Sequence, residues 1–169
     1  MNKVVFDTES TGFDVNVGDR LVEIGAVELD DQNHPTGVLF HVYINPQRDV
    51  PKEATKIHGL TTEFLKNYPT FDKIKNDFLK FIEGKELIAH NLPFELGCLE
   101  HELGFNLPNK KTDTLSIANN LFPEQKNHLD TLCRRFAVDL SHISYGGTLL
   151  NAYCLARVYQ ELMRISEAE

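Results

Sequence analysis

The chain has 169 residues, a net charge of −8, 41% hydrophobic residues and 25% charged ones. That length suits one domain able to bury about two thirds of its surface without covalent staples. No apolar run nears the ~20 residues of a bilayer span, and the N-terminus opens directly into a strand, so a single cytoplasmic domain over 1–169, with no membrane partner, is expected. The acidic balance argues against a protein that grips long stretches of nucleic acid through a basic face, because phosphate neutralisation supplies most of that affinity. The basic pairs Lys110-Lys111 and Arg134-Arg135 are short and read as solvated surface. Cys98, Cys133 and Cys154 are odd in number and far apart, which predicts reduced, buried thiols rather than a disulfide framework or a zinc knuckle.

In chain order, Val4-Val5-Phe6 has the length and residue types of a buried strand. Leu21 to Val27 predicts a second strand and Val38 to Ile44 a third, with a turn at Asn33-His34-Pro35. Such close spacing favours antiparallel pairing of all three. Pro51 ends this meander, and a short helical region follows through Ile57-His58-Gly59-Leu60. Phe71, Ile74, Phe78 and Ile82 then recur at helical steps behind a Thr70 cap. Gly84 stops that helix, and Leu87-Ile88-Ala89 makes a fourth strand. A helix starting near Pro93 should bury Leu96, Leu99 and Leu103. Further helices are expected over Leu115–Leu121, from an Asn127 cap to about Phe136, and from Gly147 to Arg164 with Leu155, Val158 and Leu162 on one stripe. Three adjacent strands followed by mostly helical structure predict an α/β fold, a mixed sheet flanked by helices.

Four stretches carry chemistry. Asp7-Thr8-Glu9-Ser10-Thr11-Gly12-Phe13 follows the first strand, and residues two apart share a strand face. Asp7 and Glu9 should project together from the strand's end, where two carboxylates repel unless a cation or proton lies between them; the alternative is a solvated strand end. His90-Asn91-Leu92-Pro93-Phe94-Glu95 leaves the fourth strand, and the crevice beyond strand ends is where ligands bind in open α/β sheets. Glu95 can reach the space of Asp7 and Glu9, or merely complement a helix dipole. Asn151 lies on the apolar stripe of the last helix, where an amide must find backbone partners or face a site. His58, before Gly59, reads first as turn chemistry.

The order of these phrases resembles the DnaQ-like (DEDD-type) 3′–5′ exonuclease family over essentially the full chain. It rests on Val5-Phe6-Asp7-Thr8-Glu9, Val22-Glu23-Ile24-Gly25-Ala26-Val27-Glu28, Ile57-His58-Gly59-Leu60-Thr61, Asp113-Thr114-Leu115 and Leu129-Asp130-Thr131-Leu132-Cys133. The resemblance implies a ribonuclease H-like fold with a mixed five-stranded sheet. It implies hydrolysis of single-stranded DNA from its 3′ end, with RNA a variant substrate, by four acids holding two Mg²⁺ or Mn²⁺ ions and a histidine as general base. Asp7, Glu9, Glu95 and Asn151 would surround metal. Thr8, Thr11, Phe13, His58, Asn91 and Phe94 would line the terminal nucleotide.

Three positions depart from the family. Glu95 stands where it has Asp, shifting the carboxylate by roughly an ångström, enough to hurt a geometry-dependent step. Gly146 occupies the histidine position and Asn151 the last aspartate position, so the base is gone and one ligand brings no charge. His142, four residues before Gly146, gives no reason to substitute. Weak catalysis with one metal or none is therefore expected, against the alternative of a non-catalytic module that binds a nucleic-acid end or a protein; a fold used purely for assembly ranks last. Replicative members of the family carry a polymerase-binding tail beyond this domain. None is expected here, nor a polymerase contact through this chain alone.

Overall fold

The apolar run at Val4-Val5-Phe6 becomes the centre of a five-stranded sheet in a computed structural model that describes residues 1–168. Strand β1 (Lys3–Ser10) pairs antiparallel with β2 (Leu21–Leu29), and β2 pairs antiparallel with β3 (Pro35–Tyr43). On its other side β1 pairs in parallel with β4 (Glu86–Ala89), and β4 with β5 (Lys111–Asp113). The order β3-β2-β1-β4-β5 is the mixed sheet that the pattern and the resemblance predict. Strand β1 runs further than its apolar core, because β2 pairs with it through Glu9↔Glu23. Asp7 and Glu9 thus lie within the strand, not beyond its end. Strand β3 also starts early, at Pro35, which an edge strand tolerates.

Alternation along β1 divides the core. Val4 and Phe6 face one layer with Phe71, Ile74, Phe78 and Ile82 of helix α3 (Phe71–Ile82) and Leu92, Leu96 and Leu99 of α4 (Leu92–Leu103). Helices α1 (Lys52–His58) and α2 (Thr62–Leu65) precede α3. Val5 faces the other layer with Leu149, Ala152, Leu155 and Ala156 of α7 (Gly147–Ala168). Helices α5 (Thr114–Leu121) and α6 (Leu129–Arg135) close over the far side of α7 through Ala118, Leu132, Val158 and Leu162. No helix among the described residues is long and apolar enough to cross a membrane.

The approach of α7 to the sheet is set at Gly25. A Cβ there would meet the Leu149 nitrogen and the Thr148 carbonyl carbon, both at 2.5 Å. Only a residue without a side chain lets the first turn of α7 lie directly on β2.

Several expectations are corrected. His128, not Asn127, occupies the N-cap of α6. Asn127 is buried instead, its amide donating to the Ala118 and Phe122 carbonyls while its Oδ1 accepts from Arg135. These bonds tie α5 to α6, which an exposed cap would not achieve. Arg135 therefore holds this junction and lies over the Phe122 ring rather than being free surface. Leu103 is only partly buried, since α4 ends there at Gly104. Cys133 and Cys154, far apart in sequence, are neighbours in space: α6 lies along α7 and brings their Cα atoms to 6.6 Å, away from Cys98. Their 21-residue separation hid this proximity.

The same substitution at two glycines should have opposite signs. Gly25→Ala forces a methyl into backbone and should destabilise by about 3 kcal/mol, the upper end of overpacking. Gly97→Ala, inside α4 with open space around its Cβ, should stabilise by about 0.5–1 kcal/mol. Urea unfolding midpoints of the two variants check this.

Candidate active site

Strand β4 pairs with β1 only over Lys3 to Val5. From there on, the β4 side of β1 has no strand neighbour, and this opening is the crevice. Helix α4 enters it. The Thr8 N–H, left without a strand partner, donates to Glu95 Oε2 at 3.0 Å, and the Thr8 hydroxyl donates to the same oxygen at 2.6 Å. Glu95 is 7% exposed and lies close enough to Asp7 to feel its charge. Its helix is oriented by Asp113, whose Oδ1 accepts the Asn91 and Leu92 N–H groups at 2.9 and 3.2 Å and also caps α5 through Leu115.

On the opposite face, Asp7 and Glu9 point towards α7, and Glu23 joins them as the cross-strand neighbour of Glu9. Asn151, one turn into α7, donates its amide to Asp7 Oδ2 at 3.0 Å. Glu23 is 2% exposed and anchors the same helix: its Oε1 accepts the Thr148 N–H at 3.2 Å and lies 2.9 Å from His41 Nε2. A carboxylate at a helix N-terminus meets both free N–H groups and the positive end of the dipole. The predicted acids therefore converge, with Glu23 as an unpredicted neighbour. Among the described residues no three His, Cys, Asp or Glu side chains stand in metal-ligating geometry.

The electrostatics follow from burial without cations. No Lys or Arg among the described residues forms an ion pair with Asp7, Glu9 or Glu95. Burial, then repulsion from Asp7 and Glu23, raises the Glu9 carboxyl from 4.5 to about 7. Burial also raises Asp7, with Glu23 adding to the shift. Glu95 is raised by burial and then by the Asp7 charge. A buried acid beside an acid holds its proton.

Beside the crevice lies a cleft of about 420 Å³ lined by Thr8, Glu9, Thr11, Phe13, His58 and Phe94 among others. Its mouth is aromatic: the Phe13 and Phe94 rings stand 5.5 Å apart, 76% and 45% exposed. On one wall, His58 is fixed at both nitrogens. The Leu60 N–H donates to Nδ1 at 3.1 Å, so Nε2 carries the proton and donates to the Ser10 carbonyl at 3.1 Å. Burial lowers its pKa, which keeps it neutral. Of the six positions assigned to the nucleotide by resemblance, Asn91 does not line the cleft. It sits at the N-cap of α4 in the left-handed region, φ 67°, with its backbone held by Asp113.

Gly146 is exposed immediately before α7, and a Cβ there meets nothing within 4 Å. Glu23 and Asp113 were missed as site-building residues. A signal was present for Glu23, an acid inside the otherwise apolar Val22-Glu23-Ile24, where it demands a partner; Asp113 lies in a polar stretch that gives none.

An acid-lined crevice in a mixed sheet, beside an aromatic-rimmed cleft of nucleotide size, defines a nuclease-like site on a ribonuclease H-like fold. The profile of the RNase T-type exonuclease family matches residues 4–145, and this chain belongs to that family. It is 46% identical over 172 residues to the DNA polymerase III subunit epsilon of Rickettsia conorii, spanning 96% of this chain and 74% of that protein. With the Escherichia coli subunit epsilon it shares 39% identity over 169 residues, 93% of this chain and 69% of the relative. The DnaQ-like resemblance read from the motifs is thereby borne out. Among solved structures, exonuclease X in complex with 5′ overhanging duplex DNA matches with a TM-score of 0.77 at 20% identity, over 97% of this chain and 92% of that one. Exonuclease I from Methylocaldum szegediense matches with a TM-score of 0.82 at 16% identity, over 99% of this chain and 41% of that one. At these identities the likeness is one of fold, and it bears out the five-stranded sheet with helices on both faces.

The raised carboxyls make stability fall as pH rises. Between the ordinary 4.5 and about 7, Glu9 binds a proton in the folded chain that the unfolded chain has lost, so its contribution is complete below 4.5 and gone above 7. In chelator-containing buffer, the Glu9→Gln variant should lose less stability than the parent between pH 4.5 and 7. Parallel pH profiles of the two urea midpoints would contradict this.

Proposed function

We propose that this domain is a 3′–5′ exonuclease acting on single-stranded DNA ends, with its hydrolytic step slowed by three replacements. The observation that carries this reading is the pair Asp7 and Glu9 on one strand face, with Glu9 lining a cleft of nucleotide size that has an aromatic mouth. Terminal bases stack on such rings, a contact worth roughly 1–3 kcal/mol and tolerant of sequence. His58, neutral and held at both nitrogens, serves as a fixed wall for the terminal nucleotide and not as a base. RNA ends are the variant substrate.

Divalent cation binding fits part of this residue set. Asp7 and Glu9 are half-buried, side by side on one strand face and without a Lys or Arg partner, so a Mg²⁺ or Mn²⁺ would relieve their repulsion. Held by Asp7 and Glu9, such a cation would supply Lewis-acid chemistry to a phosphate and to water. Glu95 and Asn151 fit a second ion poorly: one is held by the Thr8 N–H and hydroxyl, and the other turns an N–H towards Asp7. Gly146 has no side chain to accept the proton of the attacking water. Loss of general-base assistance typically forfeits on the order of 10²–10⁴ in rate.

The Asn151–Asp7 hydrogen bond supports a second reading, a module that holds a 3′ end without cleaving it. A time course on a labelled single-stranded oligonucleotide with Mn²⁺ separates the two. Slow 3′-to-5′ shortening that vanishes in Asp7→Ala is the expected result; no shortening by either protein at high concentration leaves the binding module. Because the space around Gly146 is open, the double variant Gly146→His, Asn151→Asp should speed shortening by about 10²-fold or more. No gain from it would mean that Glu95 and its surroundings have drifted too.

A further inference from the structure

The outer wall of the cleft is the loop between β1 and β2, and one buried carboxylate outside the chemistry above organises it. Asp19 is 7% exposed. Its Oδ1 accepts the Thr11 hydroxyl at 2.9 Å and Arg48 Nη1 at 3.1 Å, and its Oδ2 accepts the Asp14 N–H at 3.0 Å. Gly12 packs so tightly on this group that a Cβ would stand 2.3 Å from Oδ2. The Thr11 hydroxyl in turn accepts the Arg20 N–H at 3.1 Å. Phe13 lies between these anchored residues. Being 76% exposed, its ring is not aimed by burial; it is aimed by the backbone at Thr11, Gly12 and Asp14, each bonded to or packed on Asp19. Arg48 extends the tie across the cleft, because it sits in the segment leading to Pro51 and α1, which carry the opposite wall.

We propose that Asp19, held by Arg48, is a positioning residue that sets Phe13 at the cleft mouth before a nucleic-acid end arrives. This rests on the reading of the cleft as the seat of that end. Orienting the ring in advance spares the binding step its ordering entropy, so that more of the stack appears as affinity.

The chain contains no tryptophan, so Phe13→Trp creates a single fluorescent reporter at the mouth. Time-resolved anisotropy of this reporter, without nucleic acid, measures ring freedom. Quenching by an eight-residue oligothymidylate in chelator measures binding without hydrolysis. Adding Asp19→Asn should lower the residual anisotropy and weaken oligonucleotide binding roughly fivefold to tenfold, the scale of one base–aromatic stack. Gly12→Ala should do the same by displacing Asp19, and combining it with Asp19→Asn should add little. Arg48→Gln, which leaves the loop's own bonds to Asp19, should give a smaller loosening and stands in if Asp19→Asn does not fold. Unchanged anisotropy in the folded variants overturns the proposal, as does loosened anisotropy with undiminished binding. Loosening in variants of a reporter that the oligonucleotide never quenches would uphold Asp19 as the anchor of Phe13 while overturning the nucleic-acid reading of the cleft.

Discussion

The seating of the first turn of α7 on Gly25 governs the site's geometry. Backbone there meets the position a side chain would fill, while Glu23, next but one along β2, accepts the Thr148 N–H from beneath. Depth and angle of the helix are thus both taken from β2. Since β2 also pairs with β1 through Asp7↔Gly25 and Glu9↔Glu23, the same strand fixes the two acids and the helix that faces them. Asn151 meets Asp7 because both are measured from β2, not because either attracts the other strongly.

That construction concentrates charge. Asp7, Glu9 and Glu23 come together on one face and Glu95 approaches from the other, while His41 is the basic partner the structure gives this group, at Glu23. The protein meets the resulting repulsion with protons and amides: raised carboxyls, the Asn151 amide on Asp7, and two Thr8 donors on Glu95. Each of these devices lowers the electrostatic demand for a cation. The cleft beside them, by contrast, is built for an apolar, planar occupant, with Phe13 and Phe94 at its mouth. Cleft and carboxylate cluster have separate supports, so a change in one need not disturb the other.

Most of this architecture was legible in the sequence where periodicity carried it. Phe71, Ile74, Phe78 and Ile82 all point into the core at the spacing that identified their helix, and the three-strand meander followed from turn spacing. Strand β5 was legible only through family resemblance, since Lys111-Thr112-Asp113 has no apolar signal. Asn127 was misread because an amide before a helix looks like a cap, and whether it turns inward depends on Ala118, Phe122 and Arg135, which sequence does not bring together. The Cys133–Cys154 pair was invisible for the same reason. Asp7, Glu9, Glu95 and Asn151 could be found by motif, but not the bonds that now engage them. Asn91 was assigned a substrate contact by resemblance, and the bond that holds its backbone at the head of α4 comes from Asp113, 22 residues away.

Glu95 has a second occupation that bears on how such chains change over time. Its carboxyl group takes the N–H and hydroxyl of Thr8 at the point where β1 outruns β4, serving as a one-residue substitute for the missing neighbouring strand. Replacing it with an apolar residue would strand a buried backbone donor, a loss felt by the fold whatever the chain catalyses. Selection for a folded protein is therefore enough to keep an acid at position 95. Gly146 is under no such hold, since nothing packs around it, and the fold would accept a side chain there as readily as none. Where this scaffold needs a side chain for folding, that position resists change whatever the chemistry; where it does not, the position is free to vary.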